Sequence, residues 1–196
     1  MLFTYSQDVD TIINRGVYKS YYSIHYKEPL YVGYTLWHGG GGCDRSHFYF
    51  KNDTKVVTAT LGDYAGSGYD QGHLANANDF ANDCVKDELT FRFYNCLPQT
   101  PNLNRGVWKH WETDLRKESQ TDSLYIYCGG IFSESSKKIG NGVYVPDKCW
   151  KIVISLKQHK VLHVLLFTNT TTAEVKEIQL EELRKIVGYR IPKITW

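Results

Sequence analysis

Asp70-Gln71-Gly72-His73, then Asn95-Cys96-Leu97-Pro98-Gln99, then Asn104-Arg105-Gly106-Val107-Trp108 and on to Glu112, hold the side chains of this sequence most suited to chemistry. They supply one proton acceptor, several amides and a carboxylate. Hydrolysing a phosphodiester requires a nucleophile made near neutral pH, neutralisation of the charge growing on the phosphate oxygens, and help for the departing 3′ oxygen. Histidine has the ordinary pKa for the first task, and His73 follows a glycine that lets the backbone approach closely. A hard divalent cation serves the other two. Magnesium prefers oxygen ligands and keeps several waters, so an amide oxygen from Asn104 with a water-holding Glu112 suffices. The residues therefore point to a metal-assisted phosphodiesterase.

Positioning these groups falls to a helix and two walls. Over residues 105–117 Val107, Trp111 and Leu115 recur every four residues, which predicts a helix with an apolar face. The neighbouring stripe is Asn104, Trp108, Glu112 and Arg116. Asn104 falls at or just before the helix start, Glu112 two turns on, and Arg116 one turn further, where its guanidinium fork can hold a phosphate oxygen. A strand over 91–95 and the loop before His73 form the opposing wall, giving a ββα unit with a metal between strand and helix. Further strands are expected at 30–36, 47–50, 124–128, 150–155 and 161–167, where β-branched and aromatic residues cluster. A surface turn or short helix is expected over 82–89, loops over 62–68 and 97–103, and a last helix over 180–187 capped by Gly188. The glycines at 39–42 lack the Lys-Ser/Thr ending of a phosphate-binding loop and read as a flexible rim loop. The fold class is α+β: an antiparallel sheet core with a ββα-metal unit and few helices, in one domain over residues 1–196.

Composition agrees with a folded chain. The 196 residues are 42% hydrophobic and 22% charged, and a formal net charge of +2 is too small to mark a nucleic-acid binder in bulk, so any positive potential must be local. No run is apolar enough to span a membrane, and the start lacks the basic head and apolar stretch of a secretory signal, so a cytoplasmic location is expected. The cysteines, at 43, 84, 96, 128 and 149, are odd in number and form no C-x-x-C pair. Reduced structural thiols are expected, with neither disulfide framework nor zinc cage.

The spacing Asp-x-Gly-His, Asn-x-x-Pro-Gln, Leu-Asn-x-Gly-x-Trp and Glu resembles the DNA/RNA non-specific endonucleases of the ββα-metal superfamily. The stretches 28–34, 64–69, 129–130, 144–146 and 150–151 are similar too, so the resemblance covers roughly residues 20–190. It implies His73 as general base, Asn104 as sole direct protein ligand of one magnesium-type ion (manganese as substitute), and Glu112 holding metal-bound water. It also implies Arg116 on the phosphate charge, Asn95 orienting the histidine or its loop, and Arg45 as the loosely matched upstream arginine. DNA and RNA would be the substrates and 5′-phosphorylated fragments the products; a homodimer and an inhibitor protein are partners it allows. Two departures stand out: Gln71 where the family usually has arginine, and Asn76 where it commonly has proline.

Each residue has a plainer reading. His47, His110 and His163 are structural or merely exposed; Asn104 is a helix N-cap, Glu112 a solvated carboxylate, and Arg116 its ion-pair partner. Trp108 and Trp111 fit core packing better than base stacking. The rival functions are a non-catalytic nucleic-acid-binding or inhibitory module that keeps the fold, and a sequence-specific homing-type cutter.

Overall fold

Runs of β-branched and aromatic residues form the framework in a computed structural model that describes residues 9–194. In chain order the elements are β1 (Thr11–Asn14), β2 (Lys19–Ser23), β3 (Glu28–Leu36), α1 (Leu61–Tyr64), β4 (Asp70–His73), α2 (Cys84–Thr90), β5 (Cys96–Gln99) and α3 (Lys109–Glu118). There follow β6 (Leu124–Ile131), β7 (Lys138–Ile139), β8 (Val143–Tyr144), β9 (Lys148–Ser155), β10 (Lys160–Thr168), β11 (Val175–Glu177) and α4 (Leu180–Ile186). Seven strands make one sheet in the order β1-β2-β3-β6-β9-β10-β11, every neighbour antiparallel. The expected α+β class with an antiparallel sheet core and few helices is what the chain adopts.

One face of that sheet carries the ββα unit. Leu124, Ile126 and Cys128 alternate inward along β6, and the Cys128 thiol donates to the Leu74 carbonyl just past β4. Trp108 is fully buried and meets Phe167 of β10 edge-on at 5.0 Å between centroids, so it packs the core as expected. The opposite face is covered from the C-terminal side, where the Tyr189 hydroxyl accepts from Trp150 Nε1 at 2.8 Å. Gly188, at φ 77°, ends the last helix as its sequence predicts. No helix among the described residues is long and apolar enough to cross a membrane.

Several expectations about local structure change, among them the loop over 62–68, whose first residues belong to α1 instead. Residues 47–50 form no strand, and only an isolated bridge joins Lys51 to Arg92. Residues 91–95 are not a strand either: Phe93–Asn95 is a 3-10 turn and the strand is Cys96–Gln99, within the segment expected to be loop. The aromatic cue misleads there because Phe50 and Phe93 belong to a second small core with Tyr64, Cys96, Ile139 and Val143, which Phe91 borders. Pro98 is tolerated in β5 because β4 and β5 form a two-stranded ribbon, whose outer edges need no ladder donor. The helix is not regular from residue 105: Leu103–Trp108 is a wide π-type turn, interrupted at Gly106 (φ −103°, ψ −114°), and α3 begins only at Lys109.

The cysteines need a correction. Cys43 and Cys84 form a disulfide, with Cα atoms 5.4 Å apart, while Cys96, Cys128 and Cys149 are buried thiols. Their partnership has no local signature because 41 residues separate them. The bond also revises the glycine run: it fastens the rim loop to α2, and a Cβ at Gly41 would lie 2.0 Å from the Ala81 carbonyl oxygen, so the loop is packed rather than loose. Closing a loop of this length stabilises by about 4 kcal/mol. Reducing the bond, or replacing both cysteines by serine, should lower the melting temperature by roughly 10 °C. An unchanged melting curve would show that the bond constrains little.

Glu28, at the start of β3, is fully buried, and neither carboxyl oxygen has a hydrogen-bond partner among the described residues. Burial, reinforced by Asp63, raises its pKa well above the ordinary 4.5. The folded state therefore keeps a proton that the unfolded chain releases. That stability is fully present below the unfolded pKa and is lost as pH rises toward the folded value, by about 1.4 kcal/mol per pH unit. In chemical denaturation from pH 5 to 8, Glu28→Gln should flatten this slope and be the more stable form at pH 8. Parallel curves for the two proteins would contradict it.

Candidate active site

The segment from Asp70 to Asp79 is the hub of the site, and its position follows from β4 lying on β5. His73 pairs with Cys96 and Asp70 with Gln99. Gly72 is required between them: a Cβ there would fall 2.2 Å from Gln99 Oε1. Asn95 fixes the exit of β4, its amide oxygen accepting from Ala75 N at 2.9 Å and its nitrogen donating to the carbonyls of Ala75 and Thr90 at 3.0 and 2.8 Å. It thus holds the loop after the histidine and makes no bond to the imidazole.

The helix side is tied to this segment at both ends. Asn104 Nδ2 donates to Asp70 Oδ2 at 3.0 Å, and Arg105 forks onto the same carboxylate through Nε and Nη2 at 2.7 and 2.6 Å. Burial opposes ionisation of Asp70, but Arg105 and Asn104 outweigh it and hold the carboxylate below its usual range. With its nitrogen engaged, the Asn104 amide keeps its oxygen as the group free to act as ligand. Trp108 Nε1 donates to the His73 carbonyl at 3.3 Å. Beyond it, the Asn76 side chain accepts from Arg116 Nη1 at 3.3 Å.

Arg116 pairs with Asp79 at 2.6 Å, not with Glu112, and Asp79 also accepts from the Tyr34 hydroxyl at 2.8 Å. Burial raises the Asp79 pKa, with Arg116 opposing. Arg45 lies just past the disulfide, its Nε on Asp87 at 2.8 Å and its Nη1 on Asn78 at 2.5 Å. The structure thus joins Asn104, Arg116 and Arg45 to residues flanking His73.

The imidazole itself sits between Phe50 and Phe91, at centroid distances of 4.6 and 4.7 Å, and its Nε2 is buried with no partner among the described residues. No hydrogen bond joins the ring to Asn104 or Glu112. Burial, then the positive charge of Arg45, lowers the His73 pKa to about 3, so the ring is neutral and one nitrogen lone pair is free. Glu112 is shifted the other way, to about 7, because burial outweighs Lys151, Asn76 and Arg116, while Asp79 adds repulsion. One Glu112 oxygen, Oε1, is also buried and has no partner among the described residues.

Lys151 and Asp79 carry no motif signal, yet they complete the site. Lys151, on β9, is fully buried, and its ammonium lies 3.6 Å from the Trp108 ring centroid with no hydrogen-bond partner among the described residues. The only sequence clue is a lysine amid the buried run Cys149, Trp150, Ile152 and Val153. With Arg116 it balances the charges of Glu112 and Asp79. Asn76 is visible in sequence as a departure from the expected proline, but its contact with Arg116 is not.

These residues suit a hard cation. Among the described residues no group of three or more His, Cys, Asp or Glu is placed to hold a metal. A free amide oxygen on Asn104 and an unpaired carboxylate oxygen on Glu112 instead match an ion that keeps most of its water.

The profile of the DNA/RNA non-specific endonuclease family matches residues 2–191. A nuclease of Nostoc sp. is 40% identical over 101 residues, 51% of this chain and 36% of its own length. Nuclease C1 of Cunninghamella echinulata is 32% identical over 130 residues, 59% of this chain and 52% of its own. Human mitochondrial endonuclease G is 31% identical over 129 residues, 58% of this chain and 43% of its own. The matches thus span about half or less of each relative. Among solved structures, an EndoG/EndoGI complex contains a chain of the same fold, with a TM-score of 0.78 at 22% identity over 94% of this chain and 86% of that one.

Proposed function

Since the chain belongs to the DNA/RNA non-specific endonuclease family, we propose that it is a metal-dependent, sugar-nonspecific endonuclease acting on DNA and RNA from a single domain. The observation that carries the proposal is a half-buried imidazole, its Nε2 without a partner among the described residues, on a segment tied through Asp70 to Asn104 and through Asn76 to Arg116. A magnesium-type ion on the Asn104 oxygen, with manganese as substitute, would supply charge neutralisation and a water of lowered pKa.

The chain's own groups do the rest. His73 takes the proton of the attacking water through its free lone pair. Glu112, with its Oε1 unpaired among the described residues, would hold water beside such an ion. Arg116 and Arg45, held by Asp79 and Asp87, add positive charge where the phosphate enters, and Asn95 keeps the His73 loop in place. Contacts to phosphate and sugar carry no base information, which gives sequence-independent cutting to 5′-phosphorylated ends.

An inhibitor protein is proposed as a partner, on the fold likeness to a protein solved in an EndoG/EndoGI complex; the homodimer is decided by sedimentation. The Cys43–Cys84 bond favours an oxidising compartment over the expected cytoplasm. Supercoiled plasmid and RNA incubated with the protein and magnesium should both degrade to a smear. Retarded but intact nucleic acid would favour the non-catalytic binder, and discrete bands a sequence-specific cutter.

A further inference from the structure

The Asp70 carboxylate is 16% exposed, whereas the side chain of its partner Arg105 is 70% exposed. Two of the guanidinium's five N–H groups go to Asp70, and the remainder face outward. An ion pair this open to solvent adds little stability, so folding alone does not account for the fork. What distinguishes it is location: the same carboxylate holds the Asn104 amide, so the cation is rigidly placed beside the proposed metal ligand. Gln71, the next residue on β4, brings no charge. Arg105 also begins a shallow hollow of about 330 Å³ along α3 that includes Lys109, His110 and Thr113. Within it His110 and Lys117 pair with Asp114, while Lys109 has no ion pair among the described residues.

We propose that Arg105, fixed by Asp70 and followed by Lys109, grips a phosphate of the nucleic-acid backbone next to the reacting phosphodiester, making this outward helix face the track along which the strand lies. The inference rests on the nuclease reading. A guanidinium already forked onto a carboxylate loses little freedom when its remaining donors meet phosphate oxygens. The contact carries no sequence information and orients the strand.

The test is binding of a fluorescent duplex of arbitrary sequence in chelator, where cleavage is suppressed, as a function of salt. Arg105→Gln should weaken binding several-fold for every sequence and reduce the slope of log affinity against log salt by about 0.9. Arg105→Lys should keep that slope, and Gln71→Arg in the Arg105→Gln background should restore it by returning a cation beside Asp70. A merely structural ion pair would change the melting temperature and leave the slope untouched, and that result overturns the proposal. The two readings fail separately: a wild-type protein inert toward plasmid in magnesium ends the nuclease reading, whereas an active wild type with an unaltered Arg105→Gln slope ends this one.

Discussion

His73→Ala should abolish detectable plasmid and RNA cleavage, a fall of roughly 10²- to 10⁴-fold, the usual contribution of a positioned general base. Folding should survive, because Nε2 has no hydrogen-bond partner among the described residues to orphan and the ring rests against Phe50 and Phe91. Circular dichroism of the variant would match the wild type. The same site makes an unusual statement about pH. Histidine ordinarily titrates above a carboxylate, but here His73 is lowered to about 3 and Glu112 raised to about 7, so the order is inverted. As pH falls, Glu112 takes a proton first while His73 remains a base. The acid limb of the activity profile should therefore belong to Glu112, and higher magnesium should move it to lower pH because the cation and the proton compete. An acid limb that ignores magnesium would assign the titration to another group.

Asn104→Ala should lower magnesium-dependent activity by orders of magnitude while leaving Asp70 paired with Arg105, so the site keeps its shape and loses its ligand oxygen. A magnesium titration of the cleavage rate should show a midpoint far above that of the wild type. Since no cluster of three or more acidic or His/Cys ligands stands by among the described residues, the loss should not be masked by a second donor. An unchanged midpoint would remove Asn104 from the ligand role.

Where local pattern decides structure, the sequence is explicit. The strands at 30–36, 124–128, 150–155 and 161–167 fall inside β3, β6, β9 and β10 because alternating β-branched and aromatic residues fit a half- or fully buried pleat. The segment over 91–95 has the same composition and forms no strand, since its aromatics fill a second core whose existence depends on Phe50 and Ile139 far along the chain. Helix periodicity likewise gives α3 but not the wide turn at Leu103–Trp108, where Gly106 breaks the phase between Asn104 and Glu112. At the site, His73, Asn104 and Glu112 stand out through their spacing. What holds them is tertiary: Arg116 is drawn to Asp79, and Lys151 comes from a strand whose sequence reads as core. The Cys43–Cys84 bond is of the same kind, formed by loop and helix meeting in space.

The central claim is hydrolysis that needs both a divalent cation and the His73 base. Its most direct test is the initial rate of supercoiled-plasmid nicking by chelator-treated protein as magnesium is added back, with His73→Ala run alongside. The wild type should be silent in chelator and saturate with magnesium, and the variant should stay silent throughout. Nicking that persists in chelator, or full cleavage by His73→Ala, would contradict the account.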